Sequence, residues 1–220
     1  MISKNVILFL KELESNNNRE WFQENKAKYE ASKSEVETII NELIPLVQQF
    51  DTSIGAPLVK DCMFRIYRDV RFSPDKSPYK THIGAFIANG GRKSRFGGYY
   101  LHLEAGKSML GGGIYRPSPD EVKKIRQAMH YHAADFESIL QAPKFKEYFE
   151  CISDDQPLQK PHRDCPEGFA HPEWFTYRNF TVLHRLNDDE VSKTDFIQKA
   201  TDVFEAMAPF NRFLNDAISF

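Results

Sequence analysis

Residues 97–116 read GGYYLHLEAGKSMLGGGIYR and contain two short runs that are typical of neighbouring β-strands. Aromatic and branched residues fill both runs, and glycine clusters separate them as they do at strand ends and turns. The same pattern recurs through the middle of the chain. The predicted strands are Cys62–Tyr67, Ile83–Ala88, Tyr99–Leu103 and Ser108–Tyr115, with Thr181–Leu186 as a possible fifth. The centre of the chain is therefore predicted to form a sheet.

Amphipathic helices are predicted on both sides of this region. Residues 17–50 carry apolar side chains at steps of three, four and seven, the spacing of one helix face, and Asn17 with Glu20 resembles a capping box. Further helices are predicted over residues 3–14, over residues 118–140 and from about Ser192 onward. Helices at the termini with consecutive strands between them favour one α+β domain over residues 1–220. Its sheet should be mainly antiparallel and packed by the long N-terminal and C-terminal helices.

The overall composition excludes several classes of protein. Of 220 residues, 41% are hydrophobic and 27% are charged, which excludes collagen-like and largely disordered chains. No apolar run is long enough for a membrane helix or a signal peptide, so no membrane partner is expected. Three widely spaced cysteines, Cys62, Cys151 and Cys165, do not resemble a disulfide framework. A reducing, cytoplasmic location is therefore the default expectation.

The net charge of -2 conceals an uneven distribution. Residues 60–116 hold eleven basic and four acidic side chains, whereas residues 1–59 and 187–220 are both acidic. Such asymmetry is a better indicator of an anionic partner than the total charge. Either the terminal helices neutralise the basic centre from within, or they leave a basic cleft open.

The basic centre is densest at residues 64–80, which read FRIYRDVRFSPDKSPYK. Arginine offers a planar fork of donors that matches phosphate and carboxylate oxygens, and lysine adds a point charge. The candidate anion ligands in this segment are Arg65, Arg68, Arg71, Lys76 and Lys80. We hypothesise that they converge on one anion, with Asp69 and Asp75 offsetting part of their repulsion. The alternative is an internal network in which these carboxylates and the acidic helices pair with the arginines.

Other residues could complete such a pocket. Tyr100 and His102 share one face of a predicted strand, and Tyr115 follows the glycine run. His102 and Asp69 are the candidates for moving a proton, because histidine titrates near neutral pH. The backbone of Gly112 is a candidate for contacting an anion, and the alternative is a glycine that permits close strand packing.

Metal motifs are weak in this sequence. Cys151, His162, Cys165 and His171 can be written as a four-ligand zinc set, but their spacing does not match a zinc knuckle and no CxxC pair is present. Neither a Walker loop nor an HExxH motif is present. No metal and no cofactor are therefore expected.

Several motifs together resemble a known family. The strings are NNREWFQENKAKYE at residues 17–30, FRIYRDVRFSPDKSPYK at 64–80, GGYYLHLE at 97–104, GGGIYRP at 111–117 and PEGFAHP at 166–172. They are similar to the domain-of-unknown-function family 2461, whose members are uncharacterised proteins of bacteria and fungi. The resemblance implies one soluble domain. It implies no established activity, cofactor or catalytic residue.

Three functions are consistent with these residues. The first is a pocket for a phosphate-bearing or other anionic small molecule, with or without enzymatic activity. The second is a module that binds single-stranded nucleic acid, because basic and aromatic residues alternate in residues 60–116. Most of the nine aromatic residues there are, however, expected in the core. The third is an interaction protein whose arginines form internal salt bridges. The oligomeric state is not indicated.

Overall fold

The computed structural model describes residues 1–219 and places helices around one four-stranded sheet. The helices are α1 (Lys4–Ser15), α2 (Arg19–Glu24), α3 (Lys26–Gln48), α4 (Val59–Cys62), α5 (Pro119–Tyr131), α6 (Ala133–Gln141), α7 (Pro143–Tyr148), α8 (Asp188–Val191) and α9 (Phe196–Ser219). The strands are β1 (Ile83–Ile87), β2 (Gly98–Leu103), β3 (Met109–Ile114) and β4 (Phe180–Arg185). The predicted α+β class is confirmed.

The sheet follows chain order, β1-β2-β3-β4, and every neighbouring pair is antiparallel. Successive side chains of a strand alternate between its two faces. One face carries apolar residues such as Leu101 and Val182, which are completely buried. Helices α3 and α9 lie on that side, and their side chains Val36 and Phe204 are also fully buried. The core therefore lies between the sheet and these helices, and the opposite face of the sheet is not covered by them.

Helix α9 packs directly on strand β3 because the strand lacks side chains at the crossing. A Cβ atom on Gly112 would lie 2.3 Å from Sδ of Met207 and 2.5 Å from the carbonyl oxygen of Gly98. Asn211, one turn further along α9 and fully buried, donates from Nδ2 to that same carbonyl at 3.0 Å. The absence of a side chain at Gly112 therefore allows helix α9 to pack closely on the sheet.

The predicted strand Cys62–Tyr67 is wrong. Cys62 ends helix α4, and residues 63–67 make only two isolated bridges, Met63 with Ala85 and Tyr67 with Tyr79. This segment starts beside β1 and then turns to pair with residues 78–80 of its own chain. Pro78 has no N–H group, so a regular ladder cannot continue past it. Residues 69–77 therefore form a protruding loop.

The predicted helix over residues 17–50 is two helices, and its cap lies one residue later than expected. Asn18, rather than Asn17, accepts a hydrogen bond from the backbone N–H of Trp21. Asn17 instead pairs with the backbone of Tyr79: Asn17 Nδ2 donates to the carbonyl at 2.9 Å, and Tyr79 N–H donates to Asn17 Oδ1 at 3.1 Å. This side chain holds the segment that leads into β1.

The predicted helix over residues 118–140 is also divided, at His132, into α5 and α6. Ser118 and Glu121 form a capping box at the start of α5, and Pro119 occupies its first turn. The C-terminal helix α9 begins at Phe196, close to the predicted start.

Replacing Gly112 tests the packing of α9 on β3. We expect Gly112→Ala to lower the free energy of unfolding by about 1–3 kcal/mol, the usual cost of overpacking a core. Chemical denaturation measures this loss. Gly106→Ala is the control because no atom lies within 4 Å of its added Cβ, although its φ of +69° adds some strain. A loss for Gly112→Ala no larger than that of the control would contradict the packing.

Candidate functional site

A cavity of about 780 Å³ lies on the sheet face that the core helices do not cover. Its floor includes His82, Phe86, Tyr100 and His102 from the first two strands and the residue just before them. Gly84 is paired with His102 in the ladder and has no side chain, and the Tyr100 ring occupies that space. A Cβ on Gly84 would lie only 2.9 Å from the Tyr100 hydroxyl. The cavity volume is in the range of small-molecule sites.

A connected group of polar side chains lies at one end of the floor. The Tyr100 hydroxyl is 2.9 Å from Nδ1 of His102, and His102 Nε2 is 3.0 Å from Oε2 of Glu104. The hydroxyl of Thr81 donates to the other carboxylate oxygen, Oε1, at 2.9 Å. The ring of His82 stacks on that of His102 with centroids 4.3 Å apart. His102 is only 7% exposed, so these polar atoms satisfy one another.

Burial and neighbours shift the ionisation of this group. Burial, followed by the nearby His102 and Lys80, lowers the pKa of His82 to about 4, so its ring is neutral at pH 7. Burial raises the pKa of Tyr100 to about 12, with a further contribution from Glu104. Burial opposes ionisation of Glu104, but hydrogen bonds from His102 and Thr81 outweigh it and lower its pKa. The group therefore combines a neutral imidazole with a charged carboxylate.

Lys80 brings a positive charge to the same cavity. Its ammonium lies 5.4 Å from the centroid of the Phe64 ring, a cation–π contact. Within residues 1–219, no carboxylate forms a salt bridge with it. Burial, followed by repulsion from Arg65, lowers its pKa, because both disfavour the charged form. Lys80 is thus a cation without a counter-ion at the edge of an aromatic cavity.

Aromatic rings form much of the cavity wall. The expectation that most aromatic residues of 60–116 fill the core is wrong: only Tyr79 and Tyr99 of the nine are buried. Five of the others line the cavity: Phe64, Phe86, Phe96, Tyr100 and Tyr115. Tyr115 is 57% exposed, and its hydroxyl donates to Asp155 at 3.3 Å. The wall can therefore contact a planar group as well as a charged one.

The remaining charges of the cavity are partly paired. Arg92 donates to the carbonyl oxygens of Lys60 and Asp61 at 2.7 and 2.9 Å. Arg95 lies 3.9 Å from Glu121, and its guanidinium is over the Phe96 ring at 4.9 Å. The other charged lining residues are Arg116 and Asp155. Among the described residues, Lys80 and Arg116 are consequently the cavity cations whose side chains form no hydrogen bond or salt bridge with a protein oxygen atom; the Arg116 guanidinium lies 5.1 Å from the centroid of the Tyr115 ring.

The arginines of residues 64–80 do not meet in this cavity. Arg68 pairs with Asp75 and also donates to the carbonyl of Ser77 at 3.3 Å. Arg71 makes a two-pronged contact with Asp69 at 2.9 and 2.6 Å. Both ion pairs are formed among residues 68–75, as the internal-network alternative predicts, although no terminal helix takes part. Surface pairs of this kind contribute little stability.

The other predicted residues of this segment also lie outside the cavity. The pKa of Asp69 falls to about 2 because Arg71 donates to it, so it is held ionised by that partner. Lys76 donates to the carbonyl of Val70 at 2.9 Å, and the Arg65 side chain is exposed. Arg68 instead borders a smaller hollow of about 320 Å³ with Arg19 and Tyr67. Of the five basic residues predicted, only Lys80 lines the main cavity.

Gly112 lines the cavity, but not as an anion-binding loop. Strand β3 has neighbours on both sides, and the ladder pairs Gly112 with Tyr99 and with Val182. A backbone amide between two strands is used by the sheet. The interpretation of the glycine run as an anion cradle is therefore corrected in favour of the close-packing alternative.

The sequence reasoning missed His82 and Glu104, although a signal for both was present. Lys80 and His82 are two residues apart, as are Tyr100, His102 and Glu104, so each set points to one face of an extended segment. The pairing of Gly84 with His102 brings the two sets together. The sequence alone does not show that the two sets meet, because this depends on the register of β1 against β2.

The four residues written as a zinc set, Cys151, His162, Cys165 and His171, do not form a cluster in the described structure. In the part of the chain that the structure describes, the one group of three potential ligands that meet is His82, His102 and Glu104. His162 Nδ1 accepts from the N–H of Asp164, and His171 stacks on Trp174 with centroids 4.1 Å apart. Each thus has a local partner that accounts for its position.

The three thiols should differ in reactivity. Burial, followed by the charge of Asp61, raises the pKa of Cys62 to about 11, and its side chain is inaccessible. The thiolate is the reactive form, so we expect a thiol reagent at pH 8 to label exposed Cys151 first and to leave Cys62 unmodified until the protein unfolds. Mass spectrometry of timed samples locates the label. Early labelling of Cys62 would contradict its buried position.

The chain belongs to the family described as "Conserved hypothetical protein (DUF2461)", whose profile matches residues 5–213. The resemblance in the sequence motifs is therefore confirmed. No match was found among curated proteins or among solved structures. No helix within residues 1–219 is both long and apolar enough to cross a membrane.

Proposed function

We propose that the sheet cavity binds a small molecule that carries an anionic group, such as a phosphate, beside a planar apolar group. The observation that carries this proposal is Lys80, a cation without a carboxylate partner in residues 1–219, at the edge of an aromatic cavity. Lys80 is half-buried, so its charge has lost part of its hydration without gaining a counter-ion, and a ligand anion would offset that cost. The rings of Phe64 and Tyr100 would contact the planar part.

The same cavity supports acid–base chemistry on a bound ligand. His102 lines the cavity, and its two ring nitrogens contact Tyr100 and Glu104. Such partners fix the orientation of the imidazole in the cavity. In the protein without a metal, a bound molecule that displaces one of these two contacts would meet a positioned proton donor or acceptor. This role falls to His102 rather than to Asp69, which is held by Arg71 on the exposed loop.

The shape of the site favours a small molecule over a nucleic acid. A single strand binds along an open groove with exposed rings and cations that contact phosphates. Here five rings line one cavity of about 780 Å³, and Arg92 already donates to two backbone carbonyls. The exposed Phe72, at 93%, lies in the protruding loop and not in the cavity.

Replacing Lys80 tests the proposal. A panel of nucleotides, sugar phosphates and single-stranded oligonucleotides should be screened by thermal shift in EDTA, and any hit measured by calorimetry. We expect one class of small phosphorylated molecule to bind, and Lys80→Met to weaken it by about tenfold to a hundredfold, the value of a hydrogen bond to a charged group. Thermal unfolding confirms that the variant is folded.

Arg68→Met is the matched control, since it removes a cation of the same segment that lies outside the cavity. It should leave the affinity of the ligand unchanged. Equal losses in both variants would show that general charge attracts the ligand. Binding of oligonucleotides alone, with a steep loss of affinity on adding salt, would favour the nucleic-acid function instead.

A further inference from the structure

Three side chains that commonly bind metals meet at one end of the cavity floor. One nitrogen of His82, one nitrogen of His102 and one carboxylate oxygen of Glu104 all lie within 4.8 Å of one another. Two of these atoms, His102 Nε2 and Glu104 Oε2, are already 3.0 Å apart. We propose that His82, His102 and Glu104 form a site for a divalent first-row transition metal such as Zn²⁺.

The sheet fixes the three residues in place. His102 lies within β2 and Glu104 follows its last residue, so their side chains share one face. His82 immediately precedes β1, whose Ile83 pairs with Leu103. Continuing that antiparallel register places His82 beside Glu104. The ligands therefore come from two adjacent strand ends on a rigid scaffold, as preorganised sites require.

Neighbouring hydrogen bonds orient the two ligands that they contact. The Thr81 hydroxyl donates to Glu104 Oε1 and leaves Oε2 directed towards His102. The Tyr100 hydroxyl lies 2.9 Å from His102 Nδ1. Without a metal, Nε2 donates its proton to the ionised Glu104 and Nδ1 accepts from Tyr100. A bound ion would displace the proton on Nε2; with the proton on Nδ1 instead, the ring donates to the tyrosine oxygen and Nε2 offers its lone pair to the metal. Such partners fix the tautomer of a ligating histidine in known metal sites.

The spacing of the ligand atoms is close to that of a loaded site. Zn–N and Zn–O bonds of about 2.0–2.2 Å in tetrahedral geometry separate neighbouring ligand atoms by roughly 3.3 Å. The His102–Glu104 separation of 3.0 Å nearly meets this value. The ring of His82 is stacked on that of His102, and its nearest nitrogen lies within 4.8 Å of the other two ligand atoms, so a change in its side-chain torsions is required to bring it to ligand distance.

The donor set selects the class of metal. Two imidazole nitrogens with one carboxylate oxygen suit Zn²⁺ and other first-row divalent ions better than Ca²⁺ or Mg²⁺, which take mainly oxygen ligands. Lys107 lies 3.6 Å from Glu104 Oε1, the oxygen held by Thr81, and therefore not on the metal-binding oxygen. Three protein ligands leave one position of a four-coordinate ion free, where water would bind.

This site is independent of the proposed anion binding. The anion proposal depends on Lys80, whereas the metal proposal depends on the two histidines and Glu104. Metal binding is measured with the ion alone, and anion binding is measured in EDTA. Lys80→Met should lose the anion and keep the metal, and Glu104→Gln should lose the metal. Failure of one proposal is therefore distinguishable from failure of the other.

The test uses the whole chain, treated with chelator and dialysed, and titrated with Zn²⁺ by calorimetry and with Co²⁺ by visible absorption. We expect one ion per chain and Co²⁺ absorption bands typical of nitrogen and oxygen ligands. His102→Ala, His82→Gln and Glu104→Gln should each abolish this binding. Thr81→Val, which removes only the hydroxyl that orients Glu104, should weaken it by about tenfold to a hundredfold.

Two controls keep the test decisive. Cys151→Ser and His162→Ala remove other potential zinc ligands outside the cavity and should leave the affinity unchanged. Glu104→Gln preserves side-chain size, so it supplies the result if His102→Ala fails to fold, as judged by thermal unfolding in EDTA. The proposal is overturned if the parent chain binds neither ion at one per chain. It is also overturned if Glu104→Gln binds them as the parent does, or if Cys151→Ser alone abolishes binding.

Discussion

The close packing of helix α9 on strand β3 is the constraint on which the rest of the structure depends. The strand can accept the helix only because Gly112 has no side chain where Met207 crosses. Asn211, fully buried, then reaches the carbonyl of Gly98 and ties the same helix to β2. One face of the sheet is thereby committed to the core. The other face can carry polar residues, because it does not have to support helix packing.

The sheet face that the core helices do not cover carries charged and hydrogen-bonding side chains, and these come from two separate segments of the basic centre. Asn17 holds the backbone of Tyr79, and Lys80 and His82 follow immediately in an extended segment. An N-terminal side chain thus positions two cavity residues without touching the cavity. The protruding loop before them, residues 69–77, supplies Asp69 and Asp75 as partners for Arg71 and Arg68, so the abundance of arginine in this segment does not translate into a cationic pocket.

The cavity combines two environments with different chemical uses. At one side Lys80 lacks a carboxylate partner within the described residues, and the aromatic rings around it suit a ligand with an anionic and a planar part. At the other, His82, His102 and Glu104 form a compact set of ligand atoms supported by Tyr100 and Thr81. An anion held by the lysine would lie in the same cavity as the histidines. The two proposals therefore describe neighbouring parts of one site.

The sequence by itself determined the class of fold and most of its elements. Periodicities of about 3.6 and 2 identify helices and strands locally, so four of the five predicted strands and the terminal helices were found. It also identified Lys80, Tyr100, His102, Gly112 and Tyr115, all of which line the cavity. Local patterns failed in the segment of residues 62–80, which folds back on itself. Cys62–Tyr67 is not a strand, and Arg68 and Arg71 pair with Asp75 and Asp69.

Only the tertiary structure decided which of these residues belong together. His82 and Glu104 are 22 positions apart, and nothing in their local sequence says that they meet. The register of β1 against β2 brings them to one corner of the sheet, and a shift of one residue would send either to the opposite face. Register depends on packing across the whole sheet, whereas secondary structure depends largely on neighbours in sequence. For that reason the sequence could indicate a basic centre, and the fold was needed to bring Lys80 and the histidines into one cavity.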